Sequence, residues 1–103
     1  MTFDEYQKFC RTTAVYPKET AREYLVLGLC SEAGEVAGKV KKQLRDGNVS
    51  VNDILSEVGD VLWYAAEICS LYGVSLESIA VGNTIKLSAR MKSGKLHGSG
   101  DNR

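Results

Sequence analysis

The stretch Tyr24-Leu25-Val26-Leu27-Gly28-Leu29-Cys30-Ser31-Glu32-Ala33-Gly34-Glu35-Val36-Ala37-Gly38-Lys39-Val40-Lys41-Lys42-Gln43-Leu44 decides the fold. Its apolar residues Tyr24, Leu25, Leu29, Ala33, Val36, Ala37, Val40 and Leu44 recur at intervals of three and four, the spacing of one buried helix face. Thr20 with Glu23 reads as a capping box that opens this helix, and Arg45-Asp46-Gly47 stops it. Upstream, Pro17, the one proline, separates it from a shorter helix that Thr2 and Glu5 open and that runs to about Thr13. Downstream, Ser50 with Asp53 starts a third helix and Gly73 ends it. Ser75 then caps a fourth, which covers Leu76, Ile79, Ala80, Ile85 and Ala89. No run alternates as a strand would, and no repeat or linker interrupts the pattern. From Ser93 the composition changes to Ser-Gly-Lys-Leu-His-Gly-Ser-Gly-Asp-Asn-Arg, which supports no regular structure. The expected architecture is all-α: a four-helix bundle-like domain over residues 1–92 and a flexible Gly-rich tail over 93–103.

A chain of 103 residues is one domain with a modest core. Thirteen basic residues balance 13 acidic ones, which argues against broad nucleic-acid or membrane-surface binding. The three cysteines, Cys10, Cys30 and Cys69, match neither a zinc site nor a disulfide framework, and read as free, mostly buried thiols. With no signal-peptide pattern and no apolar run of membrane-spanning length, a soluble cytoplasmic protein is expected.

Two short motifs carry chemistry: Glu32-Ala33-Gly34-Glu35 on the second helix and Glu57-Val58-Gly59-Asp60 on the third. A spacing of three puts each acidic pair on one helix face, about 60° apart around the axis. Each pair encloses a glycine, with Gly28 and Gly38 nearby, and a glycine inside a helix costs roughly 1 kcal/mol relative to alanine. Repeating that cost beside the acids predicts that a partner helix or a ligand comes close. If the second and third helices pack antiparallel, the four acids converge, and such a cluster demands a cation. All-oxygen ligands suit Mg²⁺ or Mn²⁺. Iron is disfavoured, because the only histidine, His97, lies in the tail.

At these residues the sequence resembles the MazG-like, all-α nucleoside triphosphate pyrophosphohydrolases, which carry Glu-Glu-x-x-Glu on one helix and Glu-x-x-Asp on the next. The resemblance extends over Gly28 to Val36, Glu57 to Trp63, and Asn83-Thr84-Ile85-Lys86-Leu87 with Arg90, spanning roughly residues 20–92. Ser31 departs from it, standing where the family has its first glutamate. The resemblance implies Mg²⁺-dependent cleavage between the α- and β-phosphates of a nucleoside triphosphate, giving a nucleoside monophosphate and pyrophosphate. It makes Glu32, Glu35, Glu57 and Asp60 the metal ligands, with Glu35 also the candidate general base, and it tips Asn83, Lys86 and Arg90 toward substrate contact. A phosphoribosyl-ATP pyrophosphohydrolase-like enzyme and a non-catalytic helical interaction module stand as alternatives.

Lys39 and Lys42 follow Glu35 on the same face; Lys39 reads as solvated, and Lys42 as either solvated or a phosphate contact. Tyr64, four residues after Asp60, is the candidate surface for a nucleotide base, and Tyr16 is placed to fold over the site. Trp63 reads as packing, turned away from the acids. The run Val61 to Tyr72 has only Glu67 and Ser70 polar, and a helix apolar nearly all round must be buried nearly all round. A homodimer or homotetramer is therefore expected. The tail, with Lys95 and Arg103, is expected to act as a lid directed toward the site by the fourth helix.

Overall fold

The computed structural model describes all of residues 1–103. Helix α1 spans Phe3–Thr12, α2 Ala21–Asp46, α3 Val51–Leu71 and α4 Leu76–Lys92, with a single 3₁₀ turn at Lys18–Thr20. The chain contains no strand. The all-α expectation and the helix order are met.

Local chemistry accounts for most boundaries. The Thr2 hydroxyl accepts the Glu5 N–H (3.1 Å) and the Glu5 carboxylate accepts the Thr2 N–H (3.0 Å). Ser50 and Asp53 repeat this reciprocal pair at 3.2 and 3.0 Å, and Ser75 accepts the Ser78 N–H at 3.0 Å. Helix α3 ends in a Schellman motif: Val74 N–H donates to the Cys69 carbonyl and Gly73 N–H to that of Ser70. Gly73 has φ +70° and Gly47 φ +71°, left-handed values that a side chain would strain. The capping box expected at Thr20 is absent. The backbone is already wound as a 3₁₀ turn there, and with φ −120° and ψ 25° Thr20 lacks the extended conformation from which a cap reaches back.

Helices α2 and α3 form a long antiparallel hairpin joined by residues 47–50. Helix α1 lies on α3, while α4 packs on α1 and α3 and does not approach α2. Helices α3 and α4 meet at a break of 101°, and no single helix is long and apolar enough to cross a membrane. The core sits at the α1–α3–α4 junction, where Cys10, Ala66, Cys69 and Leu76 are buried against Tyr6, Leu62, Trp63 and Ala65. Of residues 61–72, from which a partner was expected, 61–70 are half-buried or buried within the one chain, while Leu71 and Tyr72 are exposed.

The uncovered apolar surface lies elsewhere. On the α2–α3 arm Leu44 is 85% exposed and Val51 70%, and Val40, Leu55 and Val58 are exposed too. Of the expected α2 face only Leu25 is fully buried. The radius of gyration, 16.3 Å, exceeds the roughly 13 Å of a compact chain of this length. Cys10 and Cys69 are buried as expected, but Cys30 is exposed. The tail forms no helix or strand and turns back onto α4, where the Asp101 carboxylate accepts from Lys86 Nζ (3.2 Å) and from the Arg90 guanidinium (3.1 Å).

One side chain ties the junction together. Gln7 Nε2 donates to the Ser70 hydroxyl (3.0 Å) and the Val74 carbonyl (2.9 Å), and its Oε1 accepts the Leu76 N–H (2.8 Å). Leu76 begins α4, so its N–H has no partner within that helix. Gln7→Ala should lower the unfolding free energy by about 1–3 kcal/mol, because it leaves that donor and the Val74 carbonyl unmatched. Urea denaturation at fixed protein concentration measures this; an unchanged midpoint would mean that water replaces the amide.

Candidate carboxylate site

The hairpin brings Glu32 of α2 against Glu57 and Asp60 of α3. One oxygen from each carboxylate lies within 4.8 Å of the others, with Glu32 and Glu57 half-buried and Asp60 exposed. Glu57 and Asp60 share a face because they are three residues apart, and the short connection sets the register that places Glu32 opposite them. The Glu32 carboxyl is pushed above its usual range by burial first, then by the negative charges of Asp60, Glu57 and Glu35. No ion pair of the chain includes any of the three acids. Converging, mutually repelling oxygen donors fit a hard divalent cation, the chemistry that Mg²⁺ and Mn²⁺ prefer. Glu35 is exposed and lies one turn further along α2, beyond the 4.8 Å grouping of the other three, and its charge still acts on Glu32.

Beside the acids is a cavity of about 300 Å³ lined by Thr13, Glu32, Asp60, Trp63 and Tyr64. Tyr64 is where the sequence placed it. Trp63 is not: its indole forms part of the wall, and its Nε1 donates to the Thr13 hydroxyl at 2.8 Å. Residues three and four positions beyond Asp60 flank it on either side, so both rings border the acid. Four rings form one cluster behind and along this wall. Tyr16 stacks on Tyr24 (5.4 Å between centroids) and meets Trp63 edge-on (6.3 Å), and Tyr64 contacts both Trp63 (4.9 Å) and Tyr24 (6.4 Å). Burial, then the Tyr24 phenol and the Glu32 and Asp60 carboxylates, raise the Tyr64 phenol.

The glycines divide. A Cβ on Gly28 would overlap the Tyr64 ring, whose Cδ1 would be 2.7 Å away, so the close approach expected there is made by Tyr64. Beyond their sequence neighbours and the backbone of their own helix, nothing comes within 4 Å of a Cβ built on Gly34, Gly38 or Gly59.

The basic candidates are dispersed. Lys42 is exposed and Lys39 half-buried, its charge among those lowering Asp53. Asn83 is exposed on α4, while Lys86 and Arg90 hold Asp101 of the tail. Because α4 does not approach α2, one chain does not bring these three residues up to Glu32.

A buried cluster escaped the sequence. Glu67 is fully buried, and its Oε1 accepts from Arg11 Nη1 (2.6 Å) and from the Tyr16 hydroxyl (2.7 Å), while Oε2 has no partner. The signal available was its isolation, a single acid in an apolar run, which demands a cation or donor from another element. Burial and the bond to Glu67 push the Tyr16 phenol up.

With the geometry in place, the MazG nucleotide pyrophosphohydrolase domain family matches residues 20–94, which hold both acidic motifs. The Gene 37 protein of Mycobacterium phage L5 is 39% identical over a 114-residue alignment that covers 100% of each chain. No solved structure matches the chain.

Like-charge repulsion among the acids has a measurable sign. In EDTA, Asp60→Asn should raise the thermal midpoint, because it removes one of three crowded charges. In Mg²⁺ at about a hundred times its dissociation constant, the parent protein should gain about 2.7 kcal/mol and the variant much less. Calorimetry with and without Mg²⁺ decides; equal midpoints in both conditions for the parent protein would mean that the cluster holds no Mg²⁺.

Proposed function

We propose, from the premise that the chain belongs to the MazG nucleotide pyrophosphohydrolase family, that it cleaves a nucleoside triphosphate to a nucleoside monophosphate and pyrophosphate with Mg²⁺ as cofactor. The observation that carries this reading is the convergence of Glu32, Glu57 and Asp60 beside a cavity walled by two aromatic rings. Those three residues would hold the cation, with Glu35 one turn away on α2 as a further ligand. Bound there, Mg²⁺ supplies Lewis acidity toward phosphate oxygens and the attacking water, which acids alone cannot provide. Glu35, at the exposed edge of the site, would hold the cation through one carboxylate oxygen and take the proton on the other as water attacks the α-phosphorus and the bridging oxygen leaves with pyrophosphate. Trp63 and Tyr64 offer flat apolar surface to the base, while Thr13 holds the indole in place.

The phosphate-facing cations require more than one chain. Asn83, Lys86 and Arg90 lie on a helix that does not approach α2, so in this reading a second copy presents them, with Lys42 on the arm itself. A second copy also covers the apolar arm, where Leu44, Val51, Leu55 and Val58 are exposed. A homodimer or homotetramer meets both needs.

The enzyme should release pyrophosphate from at least one common ribo- or deoxyribonucleoside triphosphate, and only with Mg²⁺ or Mn²⁺. Glu57→Gln and Glu35→Gln should each cut the rate on the order of a hundredfold, since a misplaced cation loses both water activation and charge neutralisation. Orthophosphate as first product, or activity persisting in EDTA, would contradict the assignment. Sedimentation equilibrium should give a multiple of the 11.3 kDa chain mass; a monomer would remove the second copy from the account.

A further inference from the structure

The fully buried Glu67 and its partner Arg11 play no part in the chemistry above, yet they end on the aromatic wall. Arg11 closes α1 and Tyr16 belongs to the connection that follows it; Thr13 lies between them. Glu67 Oε1 accepts from both Arg11 Nη1 and the Tyr16 hydroxyl, and Arg11 Nη1 also reaches the Tyr16 oxygen at 3.1 Å. This three-way junction fixes the connection against α3. Two groups of that connection touch Trp63: the Thr13 hydroxyl accepts from its indole, and the Tyr16 ring packs against it edge-on. Tyr16 also stacks on Tyr24, which contacts Tyr64.

We infer that Arg11 and Glu67 are positioning residues that pin the α1–α2 connection and so set the placement of Trp63 and Tyr64, the surfaces that receive the nucleotide base. A buried ion pair is a poor device for stability alone, because well-packed apolar residues commonly serve as well or better. Here the pair is incomplete as a stabiliser: Glu67 Oε2 is buried with no partner, and the Arg11 side chain is 51% exposed. What the arrangement provides is direction. One oxygen, two donors and a rigid phenol allow one seating of the Tyr16 ring. A wall held in that seating before the nucleotide arrives lowers the ordering needed on binding, so its effect falls on affinity.

The role in base binding rests on the pyrophosphohydrolase reading; the pinning of Trp63 does not, and the experiment separates them. Trp63 is the only tryptophan of the chain, so acrylamide quenching of its emission reports the wall directly. Tyr16→Phe keeps the ring and removes the hydroxyl; Glu67→Leu removes the acceptor; Glu67→Gln keeps an oxygen acceptor in its place. Tyr16→Phe and Glu67→Leu should each raise the quenching constant about twofold, and for the best triphosphate raise KM on the order of tenfold with kcat nearly unchanged. Glu67→Gln should restore most of both, and the Mg²⁺ concentration for half-maximal rate should stay at the parent value throughout. If Tyr16→Phe and a folded Glu67→Leu lower the melting temperature while quenching and KM remain those of the parent protein, the pair is structural only and the inference is wrong. A loss in kcat at constant KM would overturn it too. Should the parent protein cleave no triphosphate, the functional reading falls, and the quenching of Trp63 still decides whether the pin exists.

Discussion

Three carboxylates from two helices repel one another, and no cation of the chain neutralises them. Such a cluster persists only if the backbone beneath it is held by something stronger than the repulsion. The α2–α3 hairpin supplies this through a short connection closed by the left-handed Gly47 and by the Ser50–Asp53 capping box. Beside the acids, the ring cluster joins the α1–α2 connection, through Tyr16, to both hairpin helices, through Tyr24, Trp63 and Tyr64. The raised Glu32 carboxyl is the electrostatic residue of that compromise: the fold holds an unfavourable charge density in a place where a cation relieves it.

Local rules carried much of this in the sequence. Thr2, Ser50 and Ser75 announce their helices because a hydroxyl that satisfies an orphan N–H acts within a few residues. The acidic pairs were legible for the same reason, since a spacing of three fixes a shared face before any tertiary contact forms. Thr20 misled because a 3₁₀ turn changes the backbone on which a cap depends. Trp63 and Thr13 were illegible as a pair: their bond joins residues 50 apart, and nothing local to either states it. The same holds for Gln7, which serves residues 63 to 69 positions away. Glu35 was grouped with the other acids by pattern, but its position on α2 relative to α3 depends on hairpin register, which spacing along one helix does not specify.

The apolar arm and the acidic site share helix α3 but occupy different faces of it. Val58, exposed, lies between Glu57 and Asp60 in sequence, and Leu55, also exposed, precedes Glu57 by two residues. At about 100° per residue these side chains point to the other side of α3 from the acids, so a molecule that covers them leaves the carboxylates open. Gly34 and Gly59, next to the acids on each helix, have no other element of the chain packed against them. The helix propensity forgone at both positions is thus unexplained by intrachain packing and is concentrated on the surface that the arm leaves open.

The contact between Gly28 and Tyr64 couples two positions that no single-site argument would link. A methyl group at 28 and the phenol ring at 64, in its present seating, would occupy the same space, so a side chain at 28 obliges the ring to turn or shift. A lineage that gains a side chain at 28 must first shrink or displace the ring at 64, and thereby loses one wall beside Asp60. The identity of residue 28, on the far helix from the ring, is therefore a readable marker of whether a relative has kept this aromatic surface or traded it for another shape.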